Sequence, residues 1–299
     1  MSKAALILGP MRPPFLILAP ACTLAGIGVA FWRSSGQINC WFAVLCILGA
    51  IAAHISVNTI NEYFDFKSGL DTKTKRTPFS GGSGTLPANP QAAGMALATG
   101  LISLGIVGLI GIYFAIQRGW QIVPLGLLGM LVIYIYTFWL LKFPFLSLIS
   151  PGLGFGTLVV TGTDFVLTGS YSLVGFLVSL VPFFLVNNLL LLNQFPDVEA
   201  DKSVQRRNYP ITIGLKPSAV IFTIFNILTY GSIILGVTAF HFPYLSLLGL
   251  LTLVLAIPAC QRALRYPDDI PNLMPALGQN VLINILTPVL LAIGLFIGI

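Results

Sequence analysis

Charge is what this chain has least of. Its 299 residues include 15 Lys or Arg and 9 Asp or Glu, 8% in all, where soluble domains carry about 25%. So few charges cannot build the basic stripe that nucleic acid requires, and the chain is read as having no nucleic-acid partner. Histidine occurs twice, at His54 and His241, too rarely for most haem-ligating or histidine-metal membrane enzymes. The four cysteines, Cys22, Cys40, Cys46 and Cys260, form no Cys-x-x-Cys pair and read as small buried hydrophobes. Redox electron transfer is thereby excluded.

What is abundant is apolar sequence, at 56%. Nine runs are long enough to cross a bilayer core of about 30 Å: 14–32, 41–64, 93–117, 120–140, 144–168, 172–195, 217–240, 243–264 and 274–299. The runs are continuous rather than alternating, which rules out a barrel of two-faced strands and leaves helices. The expectation is an all-α membrane protein, one domain over 1–299, with nine transmembrane helices. The first apolar run is too long for a cleavable signal, and no small-residue cleavage site follows its basic residues.

Charge position sets orientation. The N-terminus and the loops after runs 2, 4, 6 and 8 hold Lys3, Arg12, Lys67, Lys73, Lys75, Arg76, Lys142, Lys202, Arg206, Arg207, Lys216, Arg262 and Arg265, against Arg33 and Arg118 on the other side. Thirteen against two places the N-terminus in the cytoplasm and the C-terminus outside. Of the acidic residues, only Asp164 lies on the sparse side, where it reads as an interfacial residue.

Six acidic residues fall in two compact clusters at the cytoplasmic ends of runs 2 and 6. In the first, His54, Asn58, Asn61 and Asp65 share an arc of about 60° on one helix. Gly69 then breaks the helix and returns Asp71 toward Asp65. In the second, Asn193, Asp197 and Asp201 recur at i, i+4 and i+8 over about 80°, while Glu199 points away. Pro196 kinks this helix end. Carboxylates so placed repel one another, which implies a shared cation. Asp and Asn oxygens without His or Cys suit a hard ion, and Mg²⁺ is held by a few carboxylates, waters and phosphate oxygens. Lys67, Lys73, Lys75, Arg76, Lys142, Lys202, Arg206 and Arg207 stand ready for a phosphate ligand. The stretch Ser80–Gly84 reads equally as an anion-binding loop or a flexible linker. His54 reads as an interior histidine with a bonded partner. Asn187, Asn188, Asn226, Asn280 and Asn284 read as helix-to-helix hydrogen bonders.

These two signatures, Asn-x-x-x-Asp with a further Asp and Asp-x-x-x-Asp, resemble those of the UbiA-type intramembrane prenyltransferases. The six-residue step from Asp65 to Asp71, with its glycine, is most similar to the branch that prenylates 1,4-dihydroxy-2-naphthoate in menaquinone or phylloquinone synthesis; the 4-hydroxybenzoate branch has a four-residue step. Gln205 departs from the glycine this branch often carries after the second motif. The resemblance implies a nine-helix bundle with cytoplasmic cap loops at about 65–92 and 196–216. It also implies that Asn61, Asp65, Asp71, Asp197 and Asp201 hold Mg²⁺ and diphosphate, with Asn58 assisting. Lys73, Arg76, Lys142 and Arg207 would bind the diphosphate of a polyprenyl donor. Ionisation of that donor would then be followed by attack of an aromatic acceptor in a pocket lined by Tyr63, Tyr134, Tyr136 and Phe138. Rival acceptors are 4-hydroxybenzoate, homogentisate and a glyceryl phosphate lipid. A different class, the ion-coupled secondary transporter, would place its carboxylates near the bilayer midplane.

Overall fold

The computed structural model describes residues 2–298, so Met1 and Ile299, the last residue of the final predicted run, lie outside the described residues. Helices make up the architecture, and no strand occurs among the described residues. We number the long helices α1 (Lys3–Met11), α2 (Leu18–Arg33), α3 (Cys40–Lys67), α4 (Pro90–Arg118), α5 (Trp120–Ile135), α6 (Pro144–Thr168), α7 (Leu173–Asn193), α8 (Leu215–Ala239), α9 (Tyr244–Arg265) and α10 (Ile270–Ile297).

Seven of these, α3, α4 and α6–α10, are long and apolar enough to cross a bilayer. The first predicted run is broken. Arg12 adopts φ 53° and is followed by Pro13 and Pro14, so the segments Lys3–Phe15 and Leu18–Arg33 meet at 48° and would make an eighth crossing only as a pair. The fourth is short: α5 ends at Ile135, about 24 Å at 1.5 Å per residue, and is followed by a turn over 136–139 and a single 3-10 turn, Leu140–Lys142. Among the described residues, seven helices are of spanning length, the bent pair adds an eighth crossing, and α5 is a shorter apolar helix. Pattern reading counts apolar residues, and here backbone breaks fall inside apolar sequence.

Local sequence fixes the ends. Asn39 caps α3 by accepting hydrogen bonds from the N–H groups of Trp41 and Phe42. After Lys67 the chain turns at Gly69, φ 76°, as its position after the apolar run predicts. Cys40, beside that cap, is exposed rather than buried.

Small residues let helices approach closely, as membrane helices require. α3 meets α4 at Gly100, where a Cβ would lie 2.7 Å from both Thr59 and Ile60, and the Ser56 hydroxyl donates to the Gly100 carbonyl at 2.9 Å. α2 packs on α10, and α7 on α8. Within α6, Pro151 withdraws a backbone donor and the next turn, Leu153–Leu158, is π-helical. That turn faces the interior cavity.

The sparse end of the bundle is closed by its two arginines. Arg33 donates to both carboxylate oxygens of Asp164 at 2.7 Å, and Asp164 also accepts from Ser172, the cap of α7. Asp164 is 1% exposed, a buried ion-pair partner close to the end of α6. Arg118 donates to the carbonyls of Val166 and Leu167 near the end of α6.

Candidate active site

At the other end, the two acidic clusters converge. Asp65 from α3, Asp71 from the turn after it, and Asp197 and Asp201 from the segment after α7 line one polar chamber of about 130 Å³, together with Asn61 and Asn193. The two capping segments close over it. Ser80 of the first donates from its hydroxyl to Asp197 Oδ1 at 3.3 Å. The Arg207 N–H of the second donates to the Leu141 carbonyl at 3.0 Å.

The stretch Ser80–Gly84 is a structured part of the site. Gly82 has φ 72°, and a Cβ there would meet Asp71 Oδ1 at 3.0 Å, so glycine lets the loop approach the carboxylate. Ser83 donates its N–H to Glu62 Oε1 at 2.6 Å and its hydroxyl to Oε2 at 3.0 Å. Glu62, fully buried, also takes the Arg12 guanidinium, with Nη2 to Oε1 at 2.7 Å. One carboxylate thus joins α3, the bend before α2 and the first cap loop.

Four aspartates with few cations raise the electrostatic free energy. Burial pushes the Asp71 carboxyl up to about 7, helped by Glu62 and Asp65. Burial likewise pushes Asp197 up to about 7, with Asp201 adding to it. Asp201 is also raised by burial, against the pull of Arg206 and Asn208. Arg206 lies between the clusters, its Nη2 on Asp65 Oδ1 and its Nη1 on Asp201 Oδ1 at 3.0 Å. Burial alone would lower its pKa, but Asp65 and Asp201 outweigh it and the net shift is upward.

The donor set fits Mg²⁺. It is all oxygen, and two of its atoms, Asp71 Oδ2 and Asn193 Oδ1, are buried without a partner. No group of three or more His, Cys, Asp or Glu among the described residues could hold an ion unaided. Any ion held here draws further oxygens from water or a phosphate ligand.

The chamber shares a wall with a second, larger space. Arg12, Asn61, Phe79, Tyr136, Leu190 and Asn193 line both it and an apolar cavity of about 650 Å³. That cavity follows α3 from Asn61 back to Leu45, about 24 Å of helix, and is walled by α3, α4, α5 and the π-helical turn of α6.

The known proteins this arrangement matches agree with one another. The UbiA prenyltransferase family matches residues 19–273. The chain belongs to that family. It is similar to a 1,4-dihydroxy-2-naphthoate octaprenyltransferase of Bacillus subtilis (strain 168), 28% identical over 96% of this chain and 91% of that protein. It is 29% identical to a digeranylgeranylglyceryl phosphate synthase of Pyrococcus horikoshii, over 76% of each chain. Among solved structures, a UbiA homolog from Aeropyrum pernix K1 superposes with TM-score 0.72 at 16% identity, over 94% of this chain and 97% of that one. A UbiA homolog from Archaeoglobus fulgidus bound to DMAPP and Mg²⁺ superposes with TM-score 0.61 at 16% identity, over 98% and 99%. This protein is accordingly an integral, multi-pass prenyltransferase.

Within this UbiA prenyltransferase, the residues singled out in the sequence divide. Asn61, Asp65, Asp71, Asp197 and Asp201 come together. Asn58 lines the cavity and donates to the Met11 carbonyl at 2.9 Å. Lys73, Arg76, Lys142 and Arg207 are exposed, and none lines the chamber. Arg12 and Arg206 occupy that place instead. Both belong to the basic side in sequence, but only folding shows which two of thirteen turn inward. Of the aromatic residues, Tyr136 lines both spaces. Tyr63 and Phe138 line neither, and Tyr134 is 45% exposed on the outer surface. Glu199 points away as expected and pairs with Lys202.

Gln205, standing where a glycine is usual, has φ 62°. That is the left-handed backbone that glycine favours.

Proposed function

We propose that this enzyme transfers a polyprenyl group from polyprenyl diphosphate to an aromatic acceptor, 1,4-dihydroxy-2-naphthoate, at a Mg²⁺-dependent site facing the cytoplasm. The observation carrying this reading is the shared wall: a carboxylate-rich chamber of a size for a diphosphate and an apolar cavity of a size for a prenyl chain have Arg12, Asn61, Tyr136 and Asn193 in common. The similarity to the octaprenyltransferase of Bacillus subtilis supports the choice of acceptor.

Asn61, Asp65, Asp71, Asp197 and Asp201 would hold the metal, with Asn193 as a further oxygen. Bound Mg²⁺ would neutralise charge as the allylic C–O bond breaks. Arg12 and Arg206 supply fixed positive charge to the departing diphosphate. Exchange of Arg206 from Asp65 and Asp201 to phosphate oxygens would free both carboxylates for the metal. Lys73, Arg76, Lys142 and Arg207 form an outer basic rim that draws the anionic donor to the chamber. Walls from α3 to α6 would keep water from the allylic cation until a ring carbon attacks it, after which that carbon sheds its proton, or its carboxylate as CO₂, to restore the aromatic ring.

The test is to incubate purified protein with labelled polyprenyl diphosphate, Mg²⁺ and four acceptors: 1,4-dihydroxy-2-naphthoate, 4-hydroxybenzoate, homogentisate and glyceryl phosphate lipid. A prenylated product from 1,4-dihydroxy-2-naphthoate is expected. Product from the lipid alone would favour the activity named for the Pyrococcus relative. Asp65→Ala and Asp197→Ala should each reduce turnover at least about a hundredfold, the scale of losing one preorganised electrostatic group, while the protein still folds. Near-normal turnover in either rejects the shared metal site.

A further inference from the structure

The apolar cavity contains polar atoms with nothing to bond. His54, on α3 and 5% exposed, has its Nδ1 buried without a partner, contrary to the bonded interior role its position suggests. Asn284, on α10 and 1% exposed, donates its amide to the Asn280 carbonyl at 2.9 Å and leaves Oδ1 unpaired. Both line the cavity, as does the unpaired Asn193 Oδ1 at the chamber mouth. A buried polar group left without a partner carries the full cost of its desolvation. A prenyl tail carries no N–H or O–H and leaves that cost standing.

The surroundings suit a flat ring. Phe155, on the π-helical turn, stands edge-on to His54 with ring centroids 4.7 Å apart. Next to it, Gly154 lines the cavity and has no atom within 4 Å of where a Cβ would lie, so a slot stays open along that wall. His54 lies seven residues before Asn61, about two helical turns. A ring seated there extends toward the chamber mouth.

We propose that His54 and Asn284 form the recognition site for a hydroxylated aromatic ring, accepting hydrogen bonds from its hydroxyl groups. This rests on the prenyl-transfer reading above and names the part of the cavity that selects the acceptor. The prenyl chain then occupies the remaining, wholly apolar wall between α4 and α5.

His54→Phe keeps a ring against Phe155 and removes the nitrogens. In the full-length enzyme in detergent, this variant should raise KM for 1,4-dihydroxy-2-naphthoate about tenfold or more and leave KM for polyprenyl diphosphate unchanged. His54→Gln, which restores an acceptor atom, should recover part of the loss, and Asn284→Leu should act in the same direction. Because the nitrogen is unpaired in the free protein, His54→Phe should hold or raise the melting temperature. An unchanged acceptor KM overturns the proposal, and so does an equal rise in both KM values with a lower melting temperature, the mark of a packing role. Equilibrium binding without donor separates the two readings. Wild type should bind 1,4-dihydroxy-2-naphthoate more tightly than its 1,4-dimethoxy analogue, and His54→Phe should not discriminate. Turnover without that discrimination defeats the recognition site alone; discrimination without turnover on any of the four acceptors defeats the transfer reading alone.

Discussion

Burial and neighbouring carboxylates push the Asp71 and Asp197 carboxyls up to about 7 each. The direction of the consequence follows from linkage. A folded-state pKa above the unfolded value of about 3.9 favours folding fully below that pH, and the contribution is lost as pH rises through about 7. Metal-free protein should therefore melt at lower temperature at about pH 8 than at about pH 5. Metal binding needs the ionised forms and displaces their protons. The stabilisation given by Mg²⁺ plus a polyprenyl diphosphate should accordingly grow over the same interval. Thermal melts in detergent across this range check both trends, and a flat profile for the metal-free protein contradicts them. Asp71→Asn should flatten part of the slope.

Helices and loops carry the next set of consequences. Gln205 holds a left-handed backbone that costs a non-glycine residue about 1–2 kcal/mol. Gln205→Gly should leave activity intact and raise stability by up to about 1 kcal/mol, since glycine's extra unfolded-state freedom offsets part of the relief. Chemical denaturation followed by helical signal measures it. At the far end of the bundle, Arg33 is the ion-pair partner of Asp164, which is 1% exposed. Arg33→Met leaves that carboxylate buried and unpaired, and should destabilise by about 3 kcal/mol or more without changing KM for either substrate. The double variant Arg33→Met, Asp164→Leu should recover much of the loss, because the uncompensated charge is gone.

Over the whole molecule, charge is segregated by end. Arg12, the aspartates of both clusters and Arg206 surround one chamber, whereas Arg33, Arg118 and Asp164 tie together the other end. If the crowded end faces the cytoplasm, Lys73→Cys and Lys142→Cys, both at exposed positions, should react with a membrane-impermeant thiol reagent in inside-out vesicles and resist it in intact cells. The reverse labelling would invert the orientation.

The residue pattern by itself determined that this chain is helical and membrane-embedded, because apolar runs and scarce charge leave the backbone no other way to satisfy its hydrogen bonds in lipid. It also marked Asn61, Asp65, Asp71, Asp197 and Asp201 as candidates for one site, and the fold brings all five to one chamber. Tertiary structure decided the rest. That Arg12 and Arg206, rather than the lysines of the loops, reach the carboxylates depends on how distant segments fold over one another. The interruption of the first span and the shortness of α5 depend on backbone geometry within sequence that composition counts as uniform. His54 was visible as part of a polar stripe, but whether its nitrogen meets a partner or an empty cavity is settled only by what α6 and α10 bring opposite it.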